Sequence, residues 1–327
     1  MSNKLENAKI LIIGGVGFIG SFLVKEILKE PVKEVILYDN FQRGKINNIE
    51  DSLKDPRCTI FPYGGDIREV DILDKAMEGV DYVFHLAAMW LLHCKDFPRT
   101  AFDVNIAGTF NVLEACVKHK VKKLIYSSSS SVYGDAVQIP MTEDHPFNNK
   151  NFYGATKIAG EAMCTAYNDR YGLEVIGLRY MNVYGAGQDQ HAVYSGVVPI
   201  VLNKIDRNEA PIVNGDGTQA YDFIYVEDVA RSNIDAIKSD IKLGNYNIGT
   251  GVQTNVKHLC NTMLKLKNSD LKIKYIPYNS DDARQLVQNR IGSTQKAEQE
   301  LGFKYQYSLE EGLKALIKWR EKKGIKG

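Results

Sequence analysis

Lys9-Ile10-Leu11-Ile12-Ile13 leads without a break into Gly14-Gly15-Val16-Gly17-Phe18-Ile19-Gly20, and these twelve residues decide the fold. Ile10–Ile13 is the unbroken apolar run of a strand buried on both faces. Gly14, Gly17 and Gly20 follow with the spacing G-x-x-G-x-x-G and open an amphipathic stretch, Phe18–Lys29. A Cβ at these positions would obstruct the tight turn, the approach of backbone to a pyrophosphate, and helix–strand packing, while free N–H groups at the helix start suit phosphate. Asp39 closes the next apolar run, nineteen residues beyond Gly20. A carboxylate there accepts both ribose hydroxyls and repels a 2′-phosphate, which favours NAD over NADP; Arg43 pulls weakly the other way. Gly65-Asp66-Ile67 is placed to hold the adenine edge. The competing reading, a solvated surface turn, lacks a reason for strand, glycines, helix and acid to come in this order.

Outward from this unit the alternation continues. Glu34–Tyr38, Thr59–Tyr63, Tyr82–Leu86, Lys123–Ser127 and Glu174–Leu178 read as strands, with helical periods over Phe102–Lys118 and Tyr153–Tyr171. The pattern predicts a Rossmann-type α/β fold, a doubly wound parallel sheet. Past Arg179, Gly, Pro, Asn and Tyr cluster through Gly185–Asp222 and Ile276–Gly292, which predicts a loop-built lobe over the strand ends. A last amphipathic helix is expected over Leu309–Lys318, followed by a solvated Lys-rich tail. The expected division is 1–178 plus 222–250 for the sheet domain, and 179–221 plus 251–327 for a smaller α/β lobe.

Composition narrows the classes. The 327 residues are 44% hydrophobic and 25% charged with a net charge of +1, so no single-signed field draws a nucleic acid or an anionic membrane. Five scattered cysteines without a CxxC pair, together with the polar start MSNKLENAK, point to a reducing cytoplasm rather than secretion. The apolar segment Ile10–Val24 is too short to span a bilayer and holds four glycines. His93-Cys94 resembles half a metal site, but no second pair has ligand spacing, so no metal is expected and a pocket wall or core is the better reading. His85 is expected to close a strand, and Trp90 to be either core or a lid.

Chemistry concentrates in two places. Tyr153 and Lys157 lie one helical turn apart, on one face. A nearby ammonium stabilises a phenolate, which predicts that Lys157 keeps Tyr153 competent as a base. Ser127–Ser131 ends the strand before this helix and would present a hydroxyl at the sheet's carboxyl edge.

With these residues in this order, the chain resembles the extended short-chain dehydrogenase/reductase family, and within it the NAD-dependent nucleotide-sugar epimerases and dehydratases. Besides the glycine turn, the resemblance rests on YDN (38–40), GDI (65–67), HLAA (85–88), SSSSSVYG (127–134), YGATK (153–157), LRYMNVYG (178–185), GDGTQAYDFIYVEDV (215–229) and YNIGTG (246–251). It implies a tightly held NAD and a homodimer through the helices around Asn105–Cys116 and Tyr153–Tyr171. Cofactor contacts implied beyond the glycines are Phe18, Ile19, Asp39, Asn40, Asp66 and Ile67. Leu86, Ala87, Ala88, Asn105 and Tyr180 complete that set, with Tyr153 and Lys157 shared between cofactor and catalysis. The family's catalytic Ser/Thr falls on Ser129.

Ser130 and Ser131 follow where the 4,6-dehydratases carry Asp-Glu, and a serine neither gives nor takes a proton near neutral pH. The resemblance therefore implies 4-epimerisation of a UDP-hexose of the glucose/galactose or N-acetylglucosamine type, through a transient 4-keto sugar. Asn182 matches the diphosphate contact, and Val198, Ile212 and Val213 border the nucleotide. Three departures stand out: Tyr221 replaces the usual arginine, Arg284 is the candidate for the second one, and Met89–Cys94 replaces a more polar run. Arg290 (or Asn289) falls near the position that limits hexose size; it either meets an acidic substituent, a uronate or lactyl carboxylate, or is a rim or phosphate residue. Two other functions stay open: a nucleotide-sugar dehydratase or reductase, and a non-catalytic NAD-binding regulator.

Overall fold

The computed structural model describes residues 3–188, 196–277 and 287–326. Strands β1 (Lys9–Ile13), β2 (Glu34–Tyr38), β3 (Cys58–Ile60), β4 (Tyr82–His85), β5 (Lys123–Ser129) and β6 (Glu174–Tyr180) form one parallel sheet with β11 (Leu243–Ile248). Their order is β11-β6-β5-β4-β1-β2-β3. The apolar runs are strands because both faces are covered: Leu11, Ile13 and Val83 belong to one core cluster, and Ile10, Ile12 and Phe84 to the other. The chain leaves β1 toward one edge and returns past it at β4, so a crevice opens above the carboxyl ends at this switch point.

Helices α1 (Phe18–Ile27), α2 (Val70–Ala76), α3 (Leu91–Asp96), α4 (Pro98–Ala101), α5 (Gly108–Lys118) and α6 (Phe152–Tyr171) cover the first half of the sheet. The helical stretch expected over Phe102–Lys118 splits: Phe102–Ala107 is a π-helix and only the remainder is α-helical. The strand expected over Thr59–Tyr63 starts and ends earlier, because Pro62 has no N–H to continue the ladder. α6 begins at the Asn151 cap, whose side chain accepts from the Gly154 N–H, and ends on left-handed Gly172.

The second half is less irregular than its composition predicts. Helix α7 (Val197–Asp206) lies inside the stretch expected to be loop, since Pro199 falls in its first turn, where the missing N–H costs nothing. α8 (Val226–Lys238) and α9 (Val256–Leu266) follow, with short strands β7 (Asn182–Tyr184), β8 (Ile212–Asn214), β9 (Ala220–Tyr221), β10 (Phe223–Tyr225), β12 (Thr254–Asn255), β13 (Lys274–Ile276) and β14 (Asn289–Arg290). Val201, Leu202, Leu259, Met263, Leu313 and Leu316 build this lobe's own core. Between β9 and β10, fully buried Asp222 accepts from Thr250 N (2.8 Å), Thr250 Oγ1 (2.7 Å) and Gly251 N (2.9 Å), just past the end of β11. That carboxylate ties the lobe's strands to the main sheet.

The final helix runs from Leu309 to Lys322, a turn longer than expected, behind a Ser308/Glu311 capping box. The segment read as a solvated tail is partly interior. Arg320 is buried, donating from Nη2 to Asp206 at 2.7 Å and to Asn203 at 2.7 Å. Among the described residues, no helix is long and apolar enough to cross a membrane.

Candidate active site

A cavity of about 730 Å³ follows the crevice, within the range of small-molecule sites. At one end stands the glycine turn. Gly14 has φ +83°, and a Cβ there would lie 2.7 Å from the Ala87 backbone nitrogen, so β1 and the chain after β4 approach this closely only through glycine. A Cβ on Gly20 would run into the Gly14 carbonyl oxygen, whereas one on Gly17 would meet nothing nearer than 3.3 Å. Gly17 therefore leaves open space above the N-terminus of α1, which has no side-chain cap to occupy its first N–H groups. Asp39 ends β2 and accepts from Val16 N (3.0 Å) and Phe41 N (2.9 Å), which fixes it on the cavity wall. Such a cradle fits a dinucleotide diphosphate with its ribose on the acid.

Asn40, Asp66 and Ile67 line the same end, and Leu86, Ala87, Ala88 and Tyr180 line its middle. Asn105 does not reach the cavity. Its amide accepts from Met89 N (2.7 Å) and donates to Met89 O (2.9 Å) and to Thr156 Oγ1 (3.1 Å). The π-turn points it inward, where it positions the Met89 segment of the cavity wall. Cys94 is core, Met89 is buried beside it and also lines the cavity, and Trp90 and His93 face the cavity with their rings 6.5 Å apart. Arg43 stacks over Trp90 at 5.1 Å, across from the glycine turn. His85 closes β4 as expected, buried against Thr109 Oγ1 at 3.0 Å.

At the other end Ser129, Ser130, Ser131, Tyr153 and Lys157 converge. The Ser129 side chain accepts from Ser131 N at 3.1 Å, capping the turn after β5. Lys157 donates to the Ser127 carbonyl at 2.7 Å and lies over the rings of Tyr126 (5.0 Å) and Tyr153 (5.8 Å). Its partners are thus a carbonyl and ring faces, not the Tyr153 hydroxyl. Burial pushes Tyr153 up to about 12 and Lys157 down to about 8. The Ser129 hydroxyl and the Arg290 and Arg43 cations pull the phenol down without overcoming burial. In this enclosed pocket lost hydration disfavours the charged forms of both Tyr153 and Lys157.

Behind these residues Glu161 of α6 bridges the elements that carry them. It accepts from Arg179 Nε (2.9 Å) and Nη2 (2.7 Å) of β6 and from Ser128 Oγ (2.5 Å) of β5. Arg179 also donates to Tyr133 Oη at 2.7 Å.

Of the expected substrate residues, Asn182, Val198 and Arg290 line the cavity with the serines. Ile212 and Val213 do not, being respectively exposed and packed in the lobe core; Tyr221 turns its hydroxyl to the Val287 carbonyl at 2.8 Å. Arg284 lies outside the described residues. Trp319 and Ile325 reach the cavity from the C-terminal segment, which carried no signal beyond its lysines. Among the described lining residues the carboxylates are Asp39 and Asp66, both on the glycine-turn side; none adjoins Tyr153.

A model of the NAD dependent epimerase/dehydratase family matches residues 10–249. A UDP-glucose 4-epimerase of Halalkalibacterium halodurans is 32% identical over 332 residues, covering 95% of each chain. Among solved structures, the UDP-N-acetylglucosamine 4-epimerase of Methanobrevibacter ruminantium, in complex with UDP-N-acetylmuramic acid, superposes with a TM-score of 0.90 at 30% identity, over 97% of this chain and 99% of that one. The UDP-glucose 4-epimerase of Thermotoga maritima, with UDP-glucose, gives 0.88 at 32% identity, over 97% and 100%.

Proposed function

Because the chain belongs to the NAD-dependent epimerase/dehydratase family and is a UDP-sugar 4-epimerase, an isomerase that uses NAD, we propose how its own residues divide the work. Tyr153 takes the proton of the sugar C4 hydroxyl and later gives it back. Ser129 donates a hydrogen bond to the same oxygen, and Lys157, held by the Ser127 carbonyl, supplies positive charge beneath the tyrosine ring. A nicotinamide held beside these residues would supply reversible hydride transfer at C4. The N-terminus of α1 and Asp39 hold the dinucleotide, and Asn182 contacts the substrate diphosphate while the hexose stays free to turn.

One observation supports inversion over elimination. The wall around Tyr153 offers Ser130 and Ser131, and no described lining carboxylate on that side could move a proton at C5 or C6. Purified protein mixed with UDP-glucose or UDP-N-acetylglucosamine should invert C4, followed by proton NMR. Tyr153→Phe should lower kcat by about 10²–10⁴. A sugar that loses water, or full turnover by Tyr153→Phe, refutes the assignment.

We also assign the sheet with 222–250 to the cofactor and the remaining lobe to the nucleotide sugar. We assign a homodimer to α5 and α6 as well, a reading supported by the exposure of Phe110 and Tyr171 around Tyr167. A monomer by sedimentation would overturn the dimer.

A further inference from the structure

The Arg290 side chain is nine-tenths buried, lines the cavity, and makes no hydrogen bond or ion pair among the described residues; its Nε is left without a partner. A guanidinium removed from water without a counter-ion is costly, and native chains keep one only where something else supplies the charge. No described carboxylate bonds to it. Asp39 and Asp66 are committed to backbone N–H groups and to Arg68 at the other end, while Asp135 acts on the guanidinium only through space and spends its carboxylate on Gln288 N (3.0 Å) and Asn289 N (3.3 Å). The main chain holds the residue in place: β14 pairs in register with β9, Arg290 beside Tyr221, and the Arg290 carbonyl accepts from Asp222 N at 3.1 Å.

Resting on the epimerase reading above, we propose that Arg290 pairs with a carboxylate on the hexose, so that the preferred substrate is a UDP-sugar whose sugar is itself acidic. Position favours the sugar over the diphosphate as the source of that charge. Arg290 lines the same cavity as Tyr153 and the three serines, within electrostatic reach of the phenol, and the substrate atom at Tyr153 in the reading above is the C4 hydroxyl. Carboxylates carried on C5 or through an ether on C3 flank that atom directly. An arginine fork presents two parallel N–H donors, the geometry a carboxylate accepts.

The test compares holoenzyme with Arg290→Ala and Arg290→Lys. Binding of UDP, UDP-glucose, UDP-glucuronate, UDP-N-acetylglucosamine and UDP-N-acetylmuramate is measured by calorimetry, and C4 inversion by NMR. Arg290→Ala should weaken at least one acidic sugar by about 30-fold or more, while UDP and the two neutral sugars change by less than about threefold and Arg290→Lys recovers part of the loss. The glucuronate arm places the carboxylate on C5, the muramate arm on C3. Equal losses for UDP, neutral and acidic sugars would make Arg290 a phosphate ligand and overturn the proposal; so would no selective loss in either acidic arm. Unchanged UDP binding shows that the variant is folded. Absence of turnover with every sugar sinks the epimerase reading instead, and the binding comparison still decides this one.

Discussion

Replacing Glu161 by Leu tests whether one buried carboxylate holds the catalytic elements together. Glu161 and Arg179 are each about 5% exposed or less, and the pair is joined by two charge-assisted hydrogen bonds of 2.9 and 2.7 Å. Each such bond contributes about 1.5–3 kcal/mol net. Leucine removes both, frees the Ser128 hydroxyl, and leaves the Arg179 cation buried beside Tyr133. The expected loss is about 3–5 kcal/mol, the cost of orphaning one partner of a buried pair. A domain stable by about 5–15 kcal/mol should survive it, with a lower urea midpoint and an unchanged slope. Because the pair joins α6 to β6, and Ser128 adds β5, kcat should fall together with stability. Arg179→Leu in the same chain should restore much of the loss, since two apolar groups of that size need no counter-charge. A single-variant loss below about 1 kcal/mol, or a double variant that merely adds the two single losses, refutes the reasoning.

Three further outcomes are expected. Gly20→Ala should yield protein that purifies without bound dinucleotide, seen as a lower absorbance ratio at 260 to 280 nm, because the new Cβ runs into the Gly14 carbonyl and opens the turn; full occupancy would show that the turn has slack. Asp235 is pushed up to about 6 by burial, so its charge penalises the fold above pH 6, and the penalty is relieved as pH falls through 6 toward about 4. Asp235→Asn should therefore stabilise the protein by about 1–3 kcal/mol at pH 7.5 and not at pH 4; an equal gain at both contradicts the shift. Asp222→Ala strands three buried donors and should lower unfolding free energy by at least about 3 kcal/mol, checked by urea titration, where a loss under 1 would mean water replaces the carboxylate.

The sheet was legible because a strand covered on both faces leaves no choice of residue, and Ile10–Ile13 or Leu124–Tyr126 can be little else. The pairing of Tyr153 with Lys157 in one cavity was legible because its spacing is local: a helix puts both on one face wherever it lies. What spacing leaves open depends on distant neighbours. A π-turn, which no residue spacing announces, aims the Asn105 amide at Met89. The Ser127 carbonyl, thirty residues away, decides where the Lys157 ammonium sits. Arg320 stood in a run of lysines, and only the Asp206 opposite brings it inside. That Arg290 bonds to no acid among the described residues is likewise invisible in one dimension, since it is a property of a wall assembled from several segments.

Asp222 sets a fixed gauge for the reaction. By locking the turn after β11 to the crossing between β9 and β10, it makes one jaw of the crevice continuous with the other. An intermediate that must present its second face cannot rely on that seam yawning apart. In the reading proposed above, a ring that turns about its nucleotide does so with this seam closed, against a wall that Asp222 ties but does not line.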